Sequence, residues 1–326
     1  MPESESLRVV FIAGWGRSGS TLLGSMLGQL PGFFSGGEIQ YIWDRGLLEN
    51  WRCGCGKNFH ECPTWMAVMR EAFGSVSEAD AEAMRLWCKR VRTRAIPAMR
   101  LGWWRWDAPL WRRDFLDHLS RLYRAIQLVT GCRVIVDGSK DPAYGYALAA
   151  IPGLELDIVH LVRDPRASAY SWWRRVKDRG GAGPGEGRKM RRIAPWRHAL
   201  HWDAWNLGAE VLFTGDRKRY QRVYFEEILA SPVSRLKQVI AALVGGEDVS
   251  LPFISDHEVE LRPTHSISGN PSRFETGRVE LQRDTKWRRG LKPREKLVVN
   301  ALTWPLMRRY GYLGAKREQQ PARIRT

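Results

Sequence analysis

Apolar residues in this chain fall into short unbroken runs and helically spaced sets, the pattern of buried strands leading into helices. Leu7–Ala13 (LRVVFIA) is β-branched and apolar, which predicts a buried strand. Residues 14–20 follow as a polar, glycine-containing loop. Leu22, Leu23, Met26, Leu27 and Leu30 then recur at helical spacing, and Pro31 marks the stop. Strand, glycine loop and helix in that order open an α/β nucleotide-binding fold. Further strands are expected at 133–136, 156–162 and 222–225. The second ends at Arg163, after which Asp164 is placed to cap a helix with Pro165 at its first position. Residues 232–243 read as an amphipathic helix. Between Pro63 and Thr130 the pattern is helical and Trp-rich, with Trp103, Trp104, Trp106 and Trp111, as expected of a helical insertion on a parallel-sheet core. The segment 180–187 (GGAGPGEG) reads as a flexible surface loop and the polar tail 315–326 as disordered.

Composition fits that α/β picture. With 326 residues, 44% of them hydrophobic, the chain can bury a sizeable core. One domain over 1–314 is the expected organisation. No apolar run approaches the ~20 residues that a membrane helix requires. The acidic, polar start at 1–7 lacks the charged beginning and apolar centre of a secretory signal, so the expected location is the cytoplasm. Charge changes the picture more. Lys and Arg number 52 against 35 Asp and Glu, a net +17. Such a field attracts nucleotides, nucleic acids, acidic glycans or an anionic lipid surface. The excess lies mainly in 163–192 and from Arg283 onward, and neither stretch interleaves aromatic and basic residues as a nucleic-acid module does.

Five cysteines are too few for a disulfide scaffold of this size. Cys53, Cys55 and Cys62 cluster with His60 between them, a set that could hold zinc. The C-x-C spacing departs from the usual C-x₂₋₄-C, so a stapled or reduced loop is the preferred expectation and no metal is assigned. Cys88 and Cys132 read as buried thiols.

The candidate chemistry begins at Gly14-Trp15-Gly16-Arg17-Ser18-Gly19-Ser20-Thr21, which resembles the triphosphatase P-loop G-x-x-x-x-G-K-[ST]. Ser20 stands where that pattern requires Lys, and the nearby cation is Arg17. Without the lysine, the contact to terminal phosphates is lost. Backbone N–H groups and a helix N-terminus remain to bind an anion. A phosphate carrying a sulfonate suits this reduced cradle, with Arg17 on its oxygens.

The stretch GWGRSGSTLL resembles the 5′-phosphosulfate loop of sulfotransferases that use 3′-phosphoadenosine 5′-phosphosulfate, nearest to the bacterial and tyrosylprotein-type branch. The resemblance implies a P-loop-like sulfotransferase fold, a parallel sheet flanked by helices, with the donor's 5′ side on Gly16, Arg17, Ser18, Gly19, Ser20 and Thr21. Val162-Arg163-Asp164-Pro165-Arg166-Ala167-Ser168-Ala169-Tyr170-Ser171 resembles the 3′-phosphate motif, which assigns that phosphate to Arg163 and Ser171. Gly36-Gly37-Glu38 resembles the segment whose Glu is the catalytic base. Ser139-Lys140-Asp141-Pro142, expected just past a strand, resembles the segment whose Lys stabilises the sulfonyl group and leaving phosphate. His265-Ser266-Ile267-Ser268-Gly269-Asn270-Pro271-Ser272-Arg273 resembles a loop that closes over the nucleotide, with Asn270 and Arg273 as contacts. His265 is an alternative base, although a His in such a loop is expected to be solvent-exposed.

The reading therefore expects sulfonate transfer to a hydroxyl acceptor, an acidic glycan or glycolipid, with the insertion 63–130 shaping the acceptor site. Glu38 acts as base, with Lys140 and Arg17 as electrostatic catalysts and no metal required. The rivals are a P-loop kinase or other nucleotide phosphotransferase, and a basic nucleic-acid-binding protein.

Overall fold

The computed structural model describes residues 6–75, 77–174, 192–244, 251–282 and 285–313; the loop expected at 180–187 and the tail 315–326 lie outside them. Five strands form a parallel sheet: β1 Leu7–Ala13, β2 Phe33–Gly37, β3 Val134–Lys140, β4 Leu154–Val162 and β5 Tyr220–Tyr224, in the order β2-β3-β1-β4-β5. Helices flank it on both sides. β1 lies at the centre because both its faces are apolar. Val10 and Ile12 join the core on one side, while Leu7, Val9, Phe11 and Ala13 join the core on the other. A strand buried on both faces is the mark of a parallel sheet.

Three sequence expectations shift. β2, Phe-Phe-Ser-Gly-Gly, was not foreseen, because only its first two residues look like a strand. β3 runs on to Lys140 rather than stopping at 136, since its polar second half is paired internally. The Tyr123 hydroxyl and Ser139 both donate to Asp137, which is fully buried. Ser139 and Lys140 are therefore the last residues of a strand, and Asp141 caps the next helix by accepting from the Ala143 N–H at 3.1 Å. A small antiparallel sheet (β6 Phe253–Ser255, β7 Glu258–Leu261, β8 Gly277–Glu280) was also unforeseen.

The helix after β1, α1 Ser20–Leu27, packs Leu23, Met26 and Leu27 against Val10 and Ile12. On the opposite face lies the expected helical insertion: α2 Pro63–Phe73, α3 Glu78–Arg90, α4 Ile96–Arg100 and α5 Leu110–Thr130. α5 presents Phe115, Leu119, Leu122 and Ile126, spaced at i, i+4, i+7 and i+11, to that core. The remaining helices that matter here are α6 Pro142–Ala149, α7 Pro165–Trp173 and α8 Pro195–Phe213. α7 begins as expected, with Asp164 accepting from the Arg166 N–H at 2.8 Å. Among the described residues no helix is long and apolar enough to cross a membrane. Because the five strands are parallel, the segments after β1, β2, β3 and β4 emerge on one edge, and the strand order reverses across β1, where such sheets bind ligands.

Candidate active site

A cavity of about 1620 Å³ opens at that edge. Its floor is the loop after β1. Gly19 has φ +97°, a left-handed conformation, and a Cβ there would come 2.1 Å from the Phe225 ring. Only glycine lets the chain turn this tightly into α1. Ser20 is the first residue of α1, and the first turn carries no acidic residue, so its N–H groups present an uncompensated positive end to the cavity. Arg17 also has a left-handed backbone, φ +69°, and its guanidinium lies 5.1 Å from the Trp172 ring. The Trp172 indole N–H donates to the Gly16 carbonyl at 3.0 Å, holding the loop against α7. Ser18, in the same loop, is buried and lies outside the cavity lining, its hydroxyl without a hydrogen-bond partner among the described residues.

Arg163 and Ser171 approach the same loop from the end of β4 and from α7, and both line the cavity. Arg163 donates to the Arg17 carbonyl at 3.0 Å and lies 5.1 Å from the Phe225 ring, an arrangement that orients its fork.

Glu38 follows β2. Its backbone N–H donates to the Ile267 carbonyl at 2.8 Å, while the Ile267 N–H donates to Gly36 at 2.8 Å, so 267 extends the sheet edge by one bridge. The side chain is only 14% exposed. Lys140 donates to one carboxylate oxygen and, at 2.9 Å, to the Gly138 carbonyl. Ser268 donates to the other oxygen at 3.0 Å, and Arg45 stands 3.5 Å from it while also donating to Ser268. Burial pushes the Glu38 carboxyl up, but Lys140 and then Arg45 outweigh it, leaving the group below its ordinary value and ionised at neutral pH. Lys140 has φ +71°, so both candidate catalytic cations sit in a backbone region that non-glycine residues rarely occupy. Such strain gathers at functional sites, where the surrounding structure over-determines it.

The closing loop is only partly as expected. Asn270 lines the cavity, and its N–H donates to the Thr21 hydroxyl at 3.3 Å, but its side chain is turned to cap Pro271–Phe274. Arg273 is placed away from the cavity lining: it is buried, 3% exposed, and donates to the Arg52 carbonyl at 2.9 Å. Its guanidinium holds a neighbouring loop and is not part of the cavity wall, unlike the contact expected from sequence. His265 is half-buried and turned toward cysteines, not into the cavity. His60 is exposed, its ring at 2.9 Å from the Leu47 carbonyl, away from the cysteines it was grouped with.

The tryptophans also rearrange. Trp103, Trp104, Trp106 and Trp111 lie outside the cavity lining, packed in a cluster with Arg112 or, for Trp103, 75% exposed. The aromatic wall is instead Trp15, Trp51, Trp172, Trp173 and Trp205, and Arg92 is the residue that the insertion contributes. Arg45 and Ser268 went unnoticed in sequence. Ser268 lay inside a motif already quoted, whereas Arg45 had no signal, since the wide π-type turn Ile42–Leu48 that aims it has no sequence signature.

A sequence model of the sulfotransferase family matches residues 9–245. The chain belongs to the sulfotransferase family. The matched span carries the Gly14–Thr21 loop, Glu38, Lys140, Arg163 and Ser171; the loop 265–273 lies beyond it. Two solved structures are similar to this sulfotransferase. The sulfotransferase domain of the Synechococcus PCC 7002 olefin synthase is 18% identical, with 94% of this chain and 96% of that one covered and a TM-score of 0.45. The sulfotransferase domain from the curacin biosynthetic pathway is 17% identical, with 91% and 96% covered and a TM-score of 0.49. No curated protein sequence matches the chain.

Proposed function

We propose that this sulfotransferase takes 3′-phosphoadenosine 5′-phosphosulfate as donor and sulfonates a hydroxyl group. The observation that carries the reading is the convergence, on one sheet edge, of a lysine-free anion loop, the Arg163/Ser171 pair and the Glu38–Lys140 pair. The residues fit such a donor. The loop ends on a helix whose first turn lacks an acid, and its Gly16, Arg17, Gly19, Ser20 and Thr21 line the cavity. A Cβ at Gly16 would meet the Trp172 ring at 2.7 Å, so glycine is what lets that ring pack on the loop.

The donor, when bound, supplies the sulfonyl group and leaves as the 3′,5′-bisphosphate. Arg163 and Ser171 hold the 3′-phosphate, and the amides of 16–21 with Arg17 hold the 5′ side. Glu38 accepts the proton of the acceptor hydroxyl as its oxygen attacks sulfur in line. Lys140 stabilises the charge that grows on the leaving oxygen. The Lys140 ammonium donates to Glu38 and to the Gly138 carbonyl, and it reaches the donor by turning away from the carboxylate. As its ammonium turns toward the anion, its downward pull on Glu38 weakens and burial raises the carboxylate's basicity. Donor binding thus arms the base.

The tryptophan wall suits a sugar ring or an apolar tail, and the cationic surroundings suit an acidic glycan or glycolipid at an anionic membrane surface. A thermal-shift comparison tests the donor. At about 100 times its Kd, 3′,5′-adenosine bisphosphate stabilises the protein by about 2.7 kcal/mol, and Mg-ATP at the same concentration does not. Preference for Mg-ATP would assign a phosphotransferase, and tight salt-dependent nucleic-acid binding without preference for the bisphosphate would assign a nucleic-acid-binding protein. Mass spectrometry of glycan and lipid extracts, read for a gain of one sulfonate, identifies the acceptor.

A further inference from the structure

Behind the closing loop, three thiols and an imidazole converge. The Sγ atoms of Cys53, Cys55 and Cys62 and a ring nitrogen of His265 all lie within 4.8 Å of one another. Cys55 and Cys62 are 3.8 Å apart at sulfur, and His265 Nδ1 is 3.8 Å from Cys53 Sγ and 3.3 Å from Cys62 Sγ. Zinc bound tetrahedrally, with Zn–S about 2.3 Å and Zn–N about 2.0–2.1 Å, needs S···S edges of about 3.8 Å and S···N edges of about 3.6 Å. These three edges are within about 0.3 Å of that figure, and all six lie under 4.8 Å, close enough for a metal to draw the set together.

The surroundings are those of a ligand set. His265 Nε2 stands 3.1 Å from the Thr64 hydroxyl, the outer partner that fixes a ligating imidazole, leaving Nδ1 to face the sulfurs. The Trp65 indole N–H donates to the His265 carbonyl at 2.7 Å, and the Gly54 N–H donates to the Ser266 carbonyl at 2.9 Å. The two segments are thus held together from both sides of the cluster. A disulfide would use two of the three thiols and leave the third, with the imidazole, unexplained.

We propose that Cys53, Cys55, Cys62 and His265 form a closed, structural Cys₃His zinc site. The three thiol protons pass to solvent as the metal binds, and four protein ligands leave no open position for substrate. Its role follows from what His265 begins. Two residues on, Ile267 pairs with the β2 edge; Ser268 donates to Glu38; the Asn270 N–H donates to Thr21. The metal ties this loop to residues about 200 positions earlier, a connection that polymer entropy otherwise opposes.

The test is made on the full chain purified without chelator from zinc-supplemented cells. We expect about one zinc per chain by elemental analysis and, after Co²⁺ exchange, intense tetrahedral d–d bands with sulfur-to-cobalt charge transfer. All five cysteines should titrate as thiols in denaturant without reductant. Cys62→Ser and His265→Ala should each lose most of the zinc, while Cys132→Ala, outside the cluster, keeps it. Less than about 0.2 zinc per chain overturns the proposal. In that case five thiols mean a reduced loop and two fewer mean a disulfide. A weak octahedral cobalt spectrum overturns the four-ligand set. If the variants do not fold, zinc content and cobalt spectrum of the unaltered chain still decide.

Discussion

Glu38→Gln separates the proposed chemistry from the fold. Glutamine keeps the length of the side chain and an oxygen that accepts from Ser268, but removes the charge between Lys140 and Arg45. Loss of a general base costs about 10²–10⁴ in rate. At 1.36 kcal/mol per decade that is about 3–5 kcal/mol on the barrier. A second effect runs through stability. The Lys140 and Glu38 side chains are 13% and 14% exposed, so the substitution strands an ammonium in a largely buried place. Removing one partner of a buried pair costs about 3–5 kcal/mol. Lys140 retains the Gly138 carbonyl and the site opens on a cavity, which puts the loss nearer about 2–3 kcal/mol, or roughly 3–4 °C in Tm. Affinity for the bisphosphate should hold or tighten, because a carboxylate beside an anion is gone. The assay combines sulfonate transfer from labelled donor into acceptor extracts below the variant's Tm, titration calorimetry with the bisphosphate, and thermal melts. A transfer rate within about threefold of the unaltered enzyme would refute Glu38 as base. A fall in rate matched by an equal fall in bisphosphate affinity would instead make Glu38 a structural residue.

Four further outcomes follow from the same geometry. Arg163→Ala should weaken 3′,5′-adenosine bisphosphate by about 10–100-fold, the worth of a charge-assisted phosphate contact, and weaken 5′-AMP far less; equal losses in calorimetry would remove Arg163 from the 3′-phosphate. Lys140→Met removes the largest influence lowering Glu38 and leaves burial, so the acid limb of kcat/KM should move to higher pH; an unmoved limb contradicts the coupling. Gly19→Ala should destabilise by at least about 1–3 kcal/mol from its left-handed backbone alone, with more from the Phe225 contact. Adding Phe225→Leu should recover only the steric part of the melting shift. Burial and the Arg222 charge, opposed by Asn206, hold His160 at about 4, below its ordinary 6.5. A depressed His favours folding above 6.5 and loses that contribution as pH falls toward 4, about 2 kcal/mol by pH 5. His160→Gln, which can still bond to Tyr220 and Asn206, should therefore lose about 2 kcal/mol less than the unaltered chain between pH 7 and 5 in urea melts.

Most of the framework around the glycine loop was legible in the chain itself, because local chemistry decides it. An apolar run, a glycine loop and a helically spaced set specify β1, its turn and α1 wherever the rest of the chain goes, and the missing lysine at Ser20 is a fact of composition. The Asp164–Pro165 cap likewise locates Arg163 at a strand end. What depends on distant partners was not legible. β2 is a strand only because Val134 and Val136 lie beside it, and the second half of β3 survives burial only because Tyr123 reaches Asp137. Arg273 and Asn270 share a loop, yet packing buries one against Arg52 and leaves the other at the cavity. The tryptophans of 103–111 were conspicuous by spacing, but the sheet edge recruits Trp15, Trp172 and Trp205 instead. His265 joins Cys62 across 203 positions, where no local period can announce the pair. Sequence determines the elements through short-range sterics and hydrophobic period; tertiary structure decides which side chains meet, because only long-range burial brings Glu38, Lys140, Arg45 and Ser268 to one point.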